Sequence, residues 1–315
     1  MLLPISLLFC ALVFIRSKLY ATNILKSERL PVPIIIVGNI TAGGSGKTPL
    51  VIALIDLLVK AGYKPGIISR GYGGRASSWP QQVREDSDPN IVGDEPVMMA
   101  ASMDVPVAVG PERVITAQQL LQYHDCDVIV SDDGMQHYAL ERDIEIAVVD
   151  GVRRFGNGFC LPAGPLREPV SRLERVDFVV SNGLANRLEY PMELIATGLY
   201  NLATGEQCDV SEFSGKTVHA VAGIGNPQRF FSYLQSQNVT VIEHPFSDHY
   251  RFKAEDINFA VEHPIILTSK DAVKCKRFAN ENVWVLQVKA KLDDRFVTHF
   301  LLKLKKIDED QNKHE

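Results

Sequence analysis

Residues 37–49 read Val37-Gly38-Asn39-Ile40-Thr41-Ala42-Gly43-Gly44-Ser45-Gly46-Lys47-Thr48-Pro49. The end of this stretch has the form of a phosphate-binding loop, but its start departs from the pattern G-x-x-x-x-G-K-[ST]. Thr41 holds the place of the first glycine, and the nearest earlier glycine is Gly38. The flanks restore the match. PIIIVG at 33–38 is a strand-type run, and Leu50 to Ala61 has helical periodicity. A strand, a glycine-rich turn and a helix start aim backbone N–H groups and a positive helix end at one point, where a phosphate chain is held. In that reading Thr41, Ala42, Gly43, Gly44, Ser45 and Gly46 wrap the phosphates, Lys47 supplies a cation, and Thr48 offers a hydroxyl to Mg2+. Pro49 costs little, because an N–H in the first helical turn has no intrahelical partner to lose. The competing reading is a plain glycine-rich strand-to-helix turn.

Outward from the loop, strand-type and helix-type segments alternate, the pattern of a parallel α/β sheet. Strands are expected at 64–69, 105–109, 127–131, 144–150 and 176–181, with a helix at 112–123. Between 150 and 176 lie Gly156, Gly158, Pro162, Gly164, Pro165 and Pro169, an irregular segment of the kind that carries function. A second α/β block starts near Thr217. Strands are expected from Thr217, at 239–243, 265–268 and 283–288, with helices at 228–237 and 254–262. The expected architecture is α/β, a P-loop NTPase-like parallel-sheet domain with an N-terminal membrane-associated helix and a second, smaller α/β domain. Its parts are an apolar helix at 1–27, the core domain at 28–191, a connector at 192–210, the smaller domain with a C-terminal segment at 211–306, and a solvated charged tail at 307–315.

The 315 residues suffice for two such domains. A formal charge of -5 argues against a surface built to grip nucleic acid. Five scattered cysteines without a C-x-x-C suggest neither a disulfide framework nor a cysteine zinc site. The compositional anomaly is MLLPISLLFCALVFI at 1–15, uncharged until Arg16 and Lys18. It reads as a membrane anchor or interfacial helix, as a signal peptide, or as a buried core helix. The signal-peptide reading lacks a basic leader. Arg16, Lys18, Lys26 and Arg29 after the run favour a domain on the cytoplasmic side, where ATP is.

A P-loop enzyme needs an acid at the end of a neighbouring apolar strand, and VIVSDDG at 128–134 supplies Asp132 and Asp133. A turn is the alternative there. Asp94 and Glu95 precede a helix-like segment and read as caps or as site acids. His137 and His249 are loop histidines, and neither has metal-ligand spacing to another. Arg70, Arg75, Arg153, Arg154, Arg167, Arg172 and Arg175 form either a solvated positive face or a dock for phosphorylated substrate or acidic headgroups.

In order along the chain, VGNITAGGSGKTP, SRGYGG, GDEPVMMA, SDDGMQH, DGVRRFGNG, LPAGPLREP, AGIGNPQRFF, FSDHY and TSKDAVK resemble the tetraacyldisaccharide 4'-kinases of lipid A biosynthesis. The resemblance implies transfer of the ATP γ-phosphate to the 4'-hydroxyl of a tetraacylated glucosamine disaccharide 1-phosphate, at the cytoplasmic face of the inner membrane. It implies no obligate protein partner. It makes Asp94 the base for the sugar hydroxyl, assisted by His249, with Lys47 as the phosphate cation. Thr48, Glu95, Asp132 and Asp133 become the metal side, and Gln136, His137, Arg167 and Glu168 face the substrate. Ser269 stands where the family commonly has an acid, so that segment is left out of the catalytic set. The rival class is a P-loop GTPase or metal-delivery switch, for which TSKD at 268–271 has guanine-reading letters at the wrong spacing.

Overall fold

The computed structural model describes residues 2–259, 263–311 and 313. The nucleotide half contains β1 (Ile34–Gly38), β2 (Pro65–Ser69), β3 (Gln81–Val83), β4 (Val107–Val109), β5 (Val128–Asp132), β6 (Ile144–Asp150) and β7 (Phe178–Asn182). Its helices are α1 (Leu3–Ala21), α2 (Lys47–Lys60), α3 (Pro89–Val92), α4 (Asp94–Ser102) and α5 (Arg113–Tyr123). Strand order is β7-β6-β1-β5-β2-β4-β3, parallel except for the edge strand β3.

All five residues of β1 are buried, as a central parallel strand covered on both faces requires. Successive side chains alternate between two cores. Ile35 and Val37 join Leu50, Leu54 and Leu58 of α2, while Ile34 and Ile36 join Ala117 and Leu120 of α5. Each such aliphatic side chain contributes about 1.5–3 kcal/mol when fully buried. The register sets Val37 beside Asp132, so the end of the acidic strand lies next to the start of the loop.

The second half contains β8 (Tyr190–Asn201), β9 (Gln207–Cys208), β10 (Thr217–Ala222), α6 (Pro227–Ser236), β11 (Thr240–Pro245), β12 (Ile265–Thr268), α7 (Ser269–Cys275), β13 (Val283–Leu292) and α8 (Asp294–Gln311). β11, β10, β12 and β13 are parallel neighbours. β13 then pairs antiparallel with β8, and β8 pairs parallel with β7, so one sheet runs through both halves.

Four expectations are corrected here. The connector at 192–210 is largely strand: β8 pairs with β13 on one side and β9 on the other, and the polar turn around Asn201–Glu206 is a hairpin turn. The C-terminal segment packs away from the strands β10–β12, against the nucleotide half and the adjoining ends of β8 and β13. Phe296, Phe300 and Leu304 of α8 enter the core of the nucleotide half, Phe296 lying edge-on to Phe178 at 5.4 Å. Residues 307–311 are the last turn of α8 rather than tail, held where Tyr63 donates to Asp308. The helix at 254–262 reduces to a 3-10 turn over Ala254–Ile257, and residues 260–262 lie outside the described ones.

α1 is long and apolar enough to cross a membrane, yet Ser6 is its one buried residue. Ser6 Oγ donates to Cys160 O at 2.7 Å, and Phe9 and Cys10 touch the core beside it. Leu3, Ile5, Leu7, Leu8, Leu12, Phe14 and Ile15 face outward. The buried-core reading of this segment is thereby overturned.

Candidate active site

The loop between β1 and α2 is held open by specific side chains. Gly43 and Gly46 both have φ of 94°, a left-handed backbone that favours glycine. Asn39, wholly buried, donates to Ser45 Oγ at 3.1 Å and to Gly43 O at 3.4 Å. Asn182 at the end of β7 donates to Ser45 O at 3.2 Å, and Arg229 of α6 in turn donates to Asn182 Oδ1 at 3.1 Å. These bonds occupy loop carbonyls and side chains. Gly43 to Thr48 line a cavity of about 660 Å3 that extends to Ile224, Gly225 and Asn226 of the second half.

Lys47 Nζ and Arg167 Nη1 converge on Asp133, at 3.4 Å and 3.0 Å. Burial would raise the Asp133 carboxyl, but these two cations outweigh it and hold it below its ordinary value. Asp132 behaves oppositely. Burial, then the charge of Glu95, push it up to about 7 against Lys47 and Arg113. Ser69 Oγ donates to its Oδ2 at 3.3 Å, while Oδ1 is buried without a hydrogen-bond partner. Among the described residues no three His, Cys, Asp or Glu side chains form a metal cage. A P-loop Mg2+ needs none, since water and phosphate oxygens supply most of its ligands. The unpartnered Asp132 oxygen, with Thr48 in the first turn of α2 and Glu95 close enough to perturb it, fits such an ion.

At the cavity mouth, the two halves meet through a dyad. His249 Nδ1 lies 3.0 and 3.1 Å from the two oxygens of Asp94, the first residue of α4. Burial works to raise the Asp94 carboxyl, but His249, Lys270 and Lys274 prevail and keep it below the usual carboxylate range. The bond to Asp94 raises His249, with burial opposing. His249 has a left-handed backbone at φ 59°, costly outside glycine, and its ring lies 5.0 Å from that of Tyr72.

The family model described as tetraacyldisaccharide-1-P 4'-kinase matches residues 1–305. The chain belongs to the tetraacyldisaccharide 4'-kinase family. It is 51% identical to the tetraacyldisaccharide 4'-kinase of Nitrosococcus oceani over 296 residues, covering 94% of this chain and 88% of the relative. Identity to that of Hahella chejuensis is 48% over 305 residues, covering 94% and 90%. A crystal structure of LpxK from Aquifex aeolicus in complex with ATP superposes with a TM-score of 0.81 at 30% identity, covering 96% of this chain and 98% of that one.

In this kinase the site residues expected from sequence divide into two groups. Ala42 to Thr48, Glu95, Asp133, Arg167 and His249 line the large cavity, and Asp94 meets it through His249. Thr41 does not line it: it is buried and bridges Leu166. The backbone N–H of Ala42 is spent on Pro165 O at 2.7 Å, so the phosphate-facing amides start at Gly43. Gly38, the apparent stray first glycine, serves packing instead, since a Cβ there would come within 2.5 Å of Met135 Cγ.

Gln136 and Glu168 lie outside the cavity as well. Gln136 Nε2 donates to Glu168 Oε2 at 2.9 Å and to Asn39 O at 3.1 Å, and Tyr138 donates to the other Glu168 oxygen, so the pair braces the loop from behind. His137 is pushed down to about 4 by burial and by Arg113 and Arg70, which leaves it neutral. The arginines do not form one dock. Arg154 pairs with Glu189, Arg172 with Glu145, and Arg153 with Gly44 O.

The guanine-reading alternative fails on Asp271. This carboxylate is fully buried and accepts from Gly223 N at 2.8 Å and Thr268 Oγ1 at 2.6 Å, capping α7. The segment around Ser269, expected to lie apart from the catalytic set, reaches the dyad through two lysines. Lys270 reaches Glu95, Asp248 and His249, and Lys274 lies 3.6 Å from Asp94 Oδ2. The sequence signal for these lysines was their i, i+4 spacing on a helix that follows a strand end.

Proposed function

We propose that Asp94 is the general base of an ATP-dependent transfer to the 4'-hydroxyl of the acylated disaccharide 1-phosphate, with His249 as its partner. The observation that carries this reading is the 3.0 Å contact between Asp94 and His249 beside the P-loop cavity. Phosphoryl transfer to an alcohol needs alignment, charge neutralisation and a proton acceptor, and little covalent chemistry from the protein. The amides of Gly43 to Thr48 receive the phosphate chain, and Lys47 and Arg167 are cations already aimed at one point on Asp133. Thr48 and Asp132 would hold Mg2+, with Glu95 and Asp133 close by. That ion would neutralise phosphate charge when bound. Asp94 accepts the sugar proton, and the imidazole beside it, 3.0 Å away, orients the carboxylate through the Nδ1 contact.

The division of labour follows the two halves, with nucleotide chemistry at 28–191 and His249 supplied by the second half. The exposed apolar face of α1 fits association with the inner membrane from its cytoplasmic side, since a tetraacylated substrate stays in a bilayer at about 0.8 kcal/mol per buried CH2. Incubation of the purified protein with Mg-ATP and the disaccharide 1-phosphate should add a second phosphate by mass. Absence of that product rejects the assignment.

A further inference from the structure

Lys270, on the first turn of α7, spans the two halves at the dyad. Its side chain is 14% exposed, and its Nζ lies 2.9 Å from Glu95 Oε1, 3.0 Å from Asp248 Oδ1 and 3.3 Å from His249 Nε2. An ammonium has three N–H donors and no acceptor. Three contacts therefore use all of them. Two acceptors are carboxylate oxygens; the third, Nε2, can accept only by presenting its lone pair. The ring proton is then on Nδ1, which faces both oxygens of Asp94.

We propose that Lys270 is a positioning residue for phosphoryl transfer: by donating to Nε2 it holds His249 as the neutral Nδ1–H ring, with its one donor aimed at Asp94. This rests on the dyad reading above. The opposite tautomer would turn a lone pair onto the Asp94 carboxylate and open the contact. An imidazolium would set an Nε2–H against the ammonium 3.3 Å away.

The groups facing the ring are Asp94 from α4, Asp248 and Lys270 from the second half, and the Tyr72 ring. The hydrogen bond to Asp94 raises the ring above its ordinary value, with burial and Lys270 opposing, so the tautomer held by Lys270 is that of the ring once its second proton has left. Asp248 does not replace Lys270, because its Oδ1 is 3.8 Å from Nε2, beyond hydrogen-bond distance, and is already taken by the ammonium. Because Glu95 anchors the same ammonium, the tautomer of the histidine depends on the contact between the halves.

The test reads the ring directly. In full-length protein with 15N-labelled histidine, the His249 signals are assigned by their loss in His249→Gln. At about pH 9, well above the ordinary imidazole value of ~6.5, the wild type should show a protonated Nδ1 and a bare Nε2. In Lys270→Met, Nε2 should gain a proton, and kcat should fall at least about 10-fold, less than the about 100-fold of a whole acid–base group. KM for ATP should stay within about twofold, and Lys270→Arg, which keeps an N–H donor, should recover the wild-type ring state. A protonated Nε2 in the wild type overturns the proposal and requires no variant to fold. So does Lys270→Met with an unchanged ring, or a loss confined to KM for ATP. The ring state is measured without turnover, so its failure is separable from failure of the kinase reading.

Discussion

Asp132→Asn should uncouple the stability of this fold from its chemistry. Asp132 is fully buried at the end of β5, and its carboxyl is pushed up to about 7 by burial and by Glu95, net of the pull from Lys47 and Arg113. An aspartate in an unfolded chain titrates near ~3.9. The folded chain therefore binds this proton more tightly than the unfolded one. The contribution of the group is most favourable below about pH 4, falls as pH rises to about 7, and is level above that. Three powers of ten at about 1.36 kcal/mol each give about 4 kcal/mol.

Asparagine is neutral throughout and escapes that loss. With EDTA present and nucleotide absent, urea unfolding of wild type and variant in detergent, followed by fluorescence of Trp79 and Trp284, should be run at several pH values. Relative to wild type, the variant should gain about 4 kcal/mol between about pH 4 and about pH 8. Groups common to both chains cancel in this comparison. Saturating Mg-ATP should shift the stability difference back toward the wild type, because a divalent ion favours the ionised carboxylate. Kinase activity of the variant should drop by at least about 100-fold. A stability difference that is independent of pH, or that moves toward the wild type as pH rises, refutes the argument.

Asp94→Ala and Lys47→Ala should each lower lipid phosphorylation by at least about 100-fold in a mass-based product assay; near-normal turnover of folded Asp94→Ala removes it from the base role. His249→Ala should lower kcat more than ATP affinity, and equal losses in a titration and a rate measurement count against the dyad. Gly46→Ala puts a Cβ 2.6 Å from Asn182 Nδ2 at φ 94°. A left-handed alanine costs about 1–2 kcal/mol and a displaced hydrogen bond about 1 kcal/mol, so KM for ATP should rise at least about 10-fold. Leu8→Asp with Leu12→Asp should shift the protein from vesicle-bound to free in flotation, leaving ATP binding intact; undiminished flotation would place the membrane contact elsewhere.

The loop and the strand before it were legible because their signals are local: a β-branched run, glycines at two left-handed positions and a lysine at a helix start. Thr41 misled in one respect, since its register in the motif says nothing of its bridge to Leu166. Asp94 and His249 are 155 residues apart, so no spacing relates them, and only resemblance to a family joined them before the fold did. Lys270 carries no local signal of its partners in the sequence, because Glu95 and His249 come from distant segments, and the neighbouring Ser269 hydroxyl donates to Leu286 O. The polar turn at Asn201–Glu206 suggested a connector because turn chemistry is the same in a hairpin as in a linker. For α8 the i, i+4 spacing of Phe296, Phe300 and Leu304 announced a helix with one apolar face, but periodicity does not say which core that face will join.

The antiparallel pairing of β8 with β13 makes the order of the chain differ from the order of the fold. The backbone leaves the nucleotide half along β8 and comes back beside its own outgoing track, with Asn201 opposite Trp284 in register. Everything between them is topologically a guest, since α8 downstream completes the host's core. A tight turn spliced from Asn201 to Val283 would span neighbouring strands, retaining the P-loop and the strands around it while deleting His249 and Lys270 together. The histidine that pairs with Asp94 and the lysine that contacts it therefore travel as one removable cassette, while the P-loop belongs to a chain that would read continuously without it.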